Sequence, residues 1–310
     1  MQARQRNRFD AVDGLILLNK PAGLTSNQAL QRVKRLLNAR KGGHTGALDP
    51  AATGMLPLCF GEATKVCSYL LNADKTYRVT ARLGVATDTG DADGQEIARS
   101  AVNDLSAEQW NAALQEFVGD STQIPPMYSA LKKDGKRLYE LARQGQTVER
   151  EPRGIKIKHI ELLETAGSRL VFRVHCSKGT YIRVLVEDLA KANGMVAYTA
   201  HLHREVVGDF ATDAMLDLSA MERAAEDGVE ALRKHLIAPD KALVGLPHIE
   251  LSGGDGDRFR AGQEISVENN GLTGLARVYA GPEVFLGVGE LSGVGRLAPR
   301  RVFSIGDKNP

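Results

Sequence analysis

The spacing of apolar and polar positions along the chain predicts a mixture of strands and helices. Gly14 to Asn19 is an apolar run that reads as a strand, and Lys20-Pro21-Ala22-Gly23 closes it with turn residues. Ser26 then stands where it can cap a helix that keeps Leu30, Val33, Leu36 and Leu37 on one face. Arg32, Lys34 and Arg35 fall on the other faces, and Gly42-Gly43 ends the helix. Met55 to Leu58 reads as a short strand and Glu62 to Leu71 as a helix. From Thr76 to Leu83 the period is two: Tyr77, Val79, Ala81 and Leu83 share one side, and Thr76, Arg78, Thr80 and Arg82 the other. Residues 84–94 read as a loop. Ser106 and Gln109 have the spacing of a capping box, ahead of a helix that turns Trp110, Ala113, Leu114 and Phe117 inward. Ile155 to Leu162 and Leu170 to Cys176 alternate again, and Thr180 is placed to cap a helix striped by Ile182, Leu185, Val186 and Leu189. Without a regular βαβ rhythm, this order predicts an α+β fold with a mixed or antiparallel sheet flanked by helices.

The pattern changes near Pro247. Residues 251–310 hold 12 of the 32 glycines, and short β runs such as Leu275 to Tyr279 and Glu283 to Val288 sit between them. This predicts a small C-terminal β-barrel. A chain of 310 residues exceeds what one core usually serves, so two domains are expected, 1–247 and 248–310.

Charge adds a second layer. The net charge is only +2, but residues 1–50 carry nine Lys/Arg against three Asp/Glu, with Arg4, Arg6 and Arg8 at the start. Residues 131–158 carry nine against four, and residues 209–240 reverse the sign with three against eight. Two basic stretches suit a polyanionic partner, although solvated helix faces give the same counts. No apolar run has the length of a bilayer span, and Met1 to Asp10 lacks the apolar core of a secretory signal, so the cytoplasm is the expected compartment and no membrane is involved. Cys59, Cys67 and Cys176 are few, odd in number and widely spaced, as in a reducing compartment, and all three read as buried structural thiols.

The densest candidate for chemistry is Gly42 to Gly54, a loop with four glycines around Asp49. Pro50 pushes Asp49 towards an extended backbone, which stiffens the position of its carboxylate. Such an Asp, ionised at neutral pH, can act as nucleophile or base, and it can equally be the local cap of an Asp-Pro turn. His44 is open to three readings: a base for a hydrolase, a flat ring for stacking, or neither. His201-x-His203 lacks the third ligand that a metal site needs, so no metal is expected. Lys178 to Arg183 lies at a strand-to-helix junction, where free amides favour anions and Arg183 can grip a carboxylate or phosphate in a fork. No Walker A, G-x-G-x-x-G or G-x-S-x-G occurs, and nothing requests a cofactor.

His44-Thr45-Gly46-Ala47-Leu48-Asp49-Pro50-Ala51-Ala52-Thr53-Gly54 resembles the catalytic motif of the TruB family of pseudouridine synthases. Gly14 to Pro21 resembles the family's first motif, Leu83 to Thr89 its next loop, Pro125 to Lys132 with Gly135 to Tyr139 its basic middle segment, and Ser177 to Arg183 its third motif. The resemblance spans most of residues 14–210 in one order, and the glycine-rich end resembles a PUA domain, an RNA-binding β-barrel. It implies the pseudouridine synthase fold. It also implies cofactor-free conversion of uridine to pseudouridine at position 55 in the T-arm of tRNA, by a monomer without an obligate protein partner. It makes Asp49 the nucleophile, held ionised by Arg183, with Tyr77 stacking on the uracil and carrying a proton. His44 would stabilise the gap left by the flipped base, Tyr181 and Leu202 would complete the pocket, and Lys20 would lie near it. Two departures stand out. Ala51 replaces the family's leucine, which loosens packing behind the loop. His203 replaces an arginine, which removes a phosphate contact.

Three rival readings make different demands. A hydrolase using Asp49 and His44 would lose turnover equally on losing either. A pure RNA-binding protein would ignore Asp49→Asn. A guide-RNA-dependent relative would need partner proteins, against which the short chain and the absence of Lys-rich tails argue.

Overall fold

The computed structural model describes residues 9–268 and 271–304, so Arg4, Arg6 and Arg8 lie outside the described residues. Its main sheet has nine strands: β1 (Gly14–Lys20), β2 (Gly42–His44), β3 (Thr53–Phe60), β4 (Lys75–Leu83), β5 (Gly119–Gln123), β6 (Arg153–Ala166), β7 (Arg169–Cys176), β8 (Ala197–Val207) and β9 (Leu216–Asp217). Their order is β9-β1-β3-β8-β4-β7-β6-β5, with β2 also on β3. Pairing is parallel at β1–β9 and β3–β8 and antiparallel elsewhere, the mixed sheet that the pattern predicts.

Strand β3 sets the stage for the glycine loop. On one of its edges β2 takes the last residues, His44 lying opposite Leu58, while β8 takes the first, His203 and Arg204 lying opposite Thr53 and Gly54. Residues 45–52 occupy the gap between those two partners. Gly54 has φ +98, and a Cβ there would fall 2.3 Å from the Arg204 carbonyl oxygen, so only glycine lets β8 come this close.

The helices are α1 (Ser26–Leu36), α2 (Cys67–Asn72), α3 (Ala107–Gln115), α4 (Leu138–Arg143), α5 (Ile182–Ala192) and α6 (Leu218–Glu226), with shorter turns beside them. The stripes read from sequence are the buried ones: Leu30, Val33 and Leu37 join one core beneath β1 and β3, and Ile182, Leu185, Val186 and Leu189 join another with Val79, Ala81 and Leu83. Trp110 and Leu114 of α3 enter the second core behind the Ser106–Gln109 capping box. Tyr77 and Leu202 pack against both cores, at the seam where they meet.

Several boundaries differ from the sequence reading. Thr25, not Ser26, caps α1, through a capping box with Gln28. That helix ends at Leu36, before a left-handed Asn38 at φ 51, and the glycine pair belongs to β2. Thr180 does not cap α5: its hydroxyl turns back to the Ser177 carbonyl at 3.0 Å, and Tyr181 takes the cap position without a side-chain bond. The segment read as one helix over Glu62 to Leu71 divides into a 3-10 stretch, Gly61–Val66, and α2. Cys59 and Cys176 are buried as expected, but Cys67 is half-exposed.

The C-terminal strands, β10 (His248–Leu251), β11 (Ile265–Ser266), β12 (Gly274–Ala280), β13 (Val284–Leu291) and β14 (Arg296–Val302), pair in the order β10-β12-β13-β14-β11. Among the described residues this sheet curls into a half-barrel, in keeping with the small C-terminal β-barrel that the pattern predicts. One side packs on the short helix Asp255–Arg260 through Phe259, Leu286 and Leu297. On the other, Tyr279, Phe285 and Phe303 enter a core shared with Leu15, Cys59 and Val66 of the main body.

Candidate active site

The glycine loop is pinned from below. Ser26 faces inward beneath it, accepts from the Leu48 amide at 2.8 Å and donates to the Leu48 carbonyl at 3.0 Å. The Pro50 carbonyl accepts from the Gly23 amide at 2.9 Å and from Lys20 Nζ at 3.2 Å. Buried backbone groups need such partners, so the loop is fixed in place even without regular structure.

Asp49 stands at the edge of a cleft of about 310 Å³ that Tyr77, Tyr181, Arg183, Leu202 and Arg204 also line. Arg183, on the first turn of α5, is 5% exposed. Its Nε lies 3.2 Å from Asp49 Oδ2 and its Nη1 3.5 Å from Asp91 Oδ2, and it donates to the carbonyls of Thr89 at 2.8 Å and Tyr128 at 2.7 Å. The guanidinium is thus held at four points, a use of the planar fork that an ammonium cannot reproduce.

Asp49 behaves otherwise than a simple ion-pair argument expects. Its side chain is 42% exposed towards the cleft, yet dehydration by the cleft walls pushes its pKa above the ordinary aspartate range. Arg183 pulls in the opposite direction and Lys20 helps it, while Asp91 and Asp93 add to the rise. Burial raises the phenols of Tyr77 and Tyr181 as well.

The structure brings Asp49, Tyr77, Arg183, Tyr181 and Leu202 to one cleft. The other two expected residues do not line it, although Lys20 lies close by, under the loop. Lys20 is fully buried under the loop, its ammonium spent on the carbonyls of Pro21, Leu24 and Pro50, and burial lowers its pKa to about 8. His44 stands at the end of β2, with a buried Nδ1 that has no hydrogen-bond partner and a pKa lowered by burial and by Arg204. Among the described residues no hydrogen bond or ion pair joins His44 to Asp49, so the hydrolase dyad has no geometry to support it. His203 is paired with Thr53 Oγ1 at 2.8 Å, and Ala51 is half-buried.

Three charged residues escaped the sequence reading. Asp91 is the second carboxylate on Arg183. Lys75 is 6% exposed, closes the end of α2 through the carbonyls of Leu70, Leu71 and Ala73, and has its pKa lowered to about 8 by burial. Arg204 is 1% exposed and donates from Nε to the Met55 carbonyl at 2.6 Å and from Nη2 to the Gly46 carbonyl at 3.1 Å. The strand around Arg204 offers no local signal, since most of its residues are not buried.

The main sheet with its fixed acidic loop at a cleft, followed by a half-barrel, has counterparts among solved structures. A chain from a structure described as an H/ACA RNP bound to a substrate RNA containing 2′-deoxyuridine shares this fold, with a TM-score of 0.72 over 96% of this chain and 87% of its own, at 23% identity. A chain from a Cbf5-Nop10-Gar1 complex matches with a TM-score of 0.70 over 92% of this chain and 80% of its own, at 26% identity. The model of the TruB family pseudouridylate synthase N-terminal domain matches residues 34–182, and that of the pseudouridine synthase II TruB C-terminal region matches residues 247–303. A protein named tRNA pseudouridine synthase B from Dechloromonas aromatica is 51% identical, covering 97% of this chain and 99% of its own length. One of the same name from Tolumonas auensis is 46% identical over 100% of this chain and 98% of its own. The chain belongs to the TruB family of pseudouridine synthases, isomerases that turn uridine into pseudouridine.

Proposed function

We propose that this enzyme isomerises uridine at position 55 in the T-arm of tRNA, with Asp49 as nucleophile on a flipped-out nucleotide. The observation that carries this reading is the contact of Asp49 with Arg183 at 3.2 Å on the edge of a cleft. At about 310 Å³ the cleft lies at the small end of ligand pockets, a size for one extruded nucleotide and not for a duplex.

The reaction exchanges two bonds and leaves the composition unchanged. The C1′–N1 bond breaks, a C1′–C5 bond forms, C5 loses a proton and N1 gains one. Asp49 holds the fragments covalently, through sugar or base, while the uracil turns. Arg183 orients the carboxylate and favours its charged form against the dehydration that opposes it. Tyr77 stacks on the uracil and exchanges the proton, Tyr181 and Leu202 shape the pocket, and His44 stabilises the space the base vacates. Lys20 acts from beneath, fixing the carbonyl of Pro50 beside the nucleophile.

Residues 1–247 serve as catalytic domain and 248–310 as the PUA-like RNA-binding domain. The protein works in the cytoplasm as a monomer, without metal, cofactor or obligate partner. No helix among the described residues is long and apolar enough to cross a membrane.

The test is pseudouridine mapping after incubation of the pure protein with unmodified tRNA transcript. Product at the T-arm uridine is expected, and Asp49→Ala should still bind tRNA but form none. Product from that variant would reassign the nucleophile; a folded wild-type protein that leaves the T-arm uridine unchanged would remove the proposal.

A further inference from the structure

Arg204 carries its charge into the interior without a counter-ion. Its side chain is 1% exposed, its hydrogen bonds go to two backbone carbonyls, and among the described residues no carboxylate forms an ion pair with it. Carbonyls satisfy the N–H groups but do not neutralise the charge, and a buried cation left this way is costly. Arg183, on the same cleft, is used differently: its fork is committed to Asp49 and Asp91.

The charge of Arg204 is directed at Tyr77. The two residues face each other across the antiparallel β4–β8 pair, so their side chains leave the same face of the sheet, and both line the cleft. Arg204 is the largest influence favouring the Tyr77 phenolate against burial, while Asp49 and Cys176 oppose it. The same charge also pushes Lys20, His44 and Lys75 towards their neutral forms, adding to the larger effect of burial, although at Lys20 the opposite pull of Asp49 outweighs it.

We infer that Arg204 is a positioning residue of the reaction: it stabilises the phenolate of Tyr77 while fastening the start of the Asp49 loop, at Gly46, to the sheet. This rests on the reading that Tyr77 exchanges the proton. Cleavage of C1′–N1 leaves a nitrogen that takes the phenolic proton. The phenolate, faced by Arg204, then takes the proton from C5 once C1′–C5 has formed, and the phenol is restored. One proton leaves Tyr77 and one returns, and no outside acid or base is consumed. Arg183 keeps the carboxylate ready and Arg204 keeps the phenol ready.

The experiment is a double-mutant cycle in single turnover on tRNA transcript, with rate measured against pH. Arg204→Gln is expected to slow product formation roughly 100-fold, in the range of general acid–base contributions, and, because the cycle starts from the Tyr77 phenol, to move the alkaline fall of the rate to higher pH. Arg204→Lys should recover part of both. In a Tyr77→Phe background Arg204→Gln should cause a much smaller further loss, limited to the Gly46 anchor, because the hydroxyl it serves is gone. Replacing Tyr77 by 3-fluorotyrosine, whose phenol is more acidic, should rescue Arg204→Gln. Equal slowing with and without the Tyr77 hydroxyl, or an unchanged pH profile, would reduce Arg204 to a structural bolt and overturn the inference. If Arg204→Gln does not fold, as read by thermal melting, Arg204→Lys is carried through the same cycle and the same outcomes decide. Absence of pseudouridine from the wild-type protein would instead sink the proposed function itself.

Discussion

The hydroxyl of Ser26 bonds both ends of one peptide residue, accepting from the Leu48 amide and donating to the Leu48 carbonyl, one position before Asp49. A helix that would otherwise only pack thereby sets the height of Asp49. Ser26→Ala leaves two buried backbone groups without partners, at a cost of about 1–3 kcal/mol. A lower melting temperature is expected together with a slower single-turnover rate and unchanged tRNA affinity. Ser26→Thr, which keeps the hydroxyl, should retain more of both; equal loss in the two variants would show that the hydroxyl is not what holds the loop.

Burial already holds the Asp49 pKa above the ordinary aspartate range, and Arg183 is the main group pulling it down. Rate should therefore fall on the acid side at a pH above the free-aspartate value of about 4. Arg183→Gln removes the lowering influence, so the acid limb should move to still higher pH, with a lower plateau. Rates from pH 5 to 8 on both proteins give the answer. An acid limb in the variant at the wild-type position would mean that Asp49 is not the group being titrated.

Residues 132–137 form a two-stranded hairpin whose turn has Asp134 at φ 52 and Gly135 at φ 82, left-handed values matching a tight hairpin. It projects Lys132, Lys133, Lys136 and Arg137 into solvent beside Tyr128 and Ser129 of the cleft. Replacing Lys132 and Lys136 by Gln should weaken tRNA binding at low salt and reduce the slope of log affinity against log salt by about 2, one per phosphate contact. The rate from saturated complex should hold. Filter binding across 50–200 mM salt measures the first and single-turnover kinetics the second.

Lys20 and Lys75 each have a pKa near 8, against about 10.4 for an ordinary lysine. Below pH 8 folded and unfolded chains both carry these protons, and the burial cost is felt in full. Between pH 8 and 9 the unfolded chain binds more protons, so stability should rise with pH. Higher up, Cys176, held at about 11, and the buried tyrosines act in the opposite sense. Urea midpoints at pH 7.5, 8, 8.5 and 9 should climb for the wild type and climb less for Lys75→Met.

What could be read from the residue string was local. Period-two spacing located β4, the apolar stripe located α5, and the Ser106–Gln109 box located the start of α3. Asp49, Tyr77 and Arg183 were placed together by resemblance; spacing alone left them scattered. The misjudged residues are those whose partners lie far along the chain. Ser26 looked like a cap because cap chemistry is local, yet it bonds a residue 22 positions away. Arg204 satisfies its guanidinium on carbonyls 149 and 158 positions distant. The charge of Arg204 is satisfied only through such remote contacts, so nothing beside it in sequence announces it.

The core that Tyr279, Phe285 and Phe303 share with Leu15, Cys59 and Val66 has a mechanical meaning. The half-barrel is not a bead on a string. Its aromatic side is glued to the underside of the same strands, β1 and β3, that deliver Lys20 and the Asp49 loop. The half-barrel is therefore held at a set distance from the Asp49 loop, and a chain cut after position 247 should expose an oily scar and precipitate, not survive as a smaller enzyme.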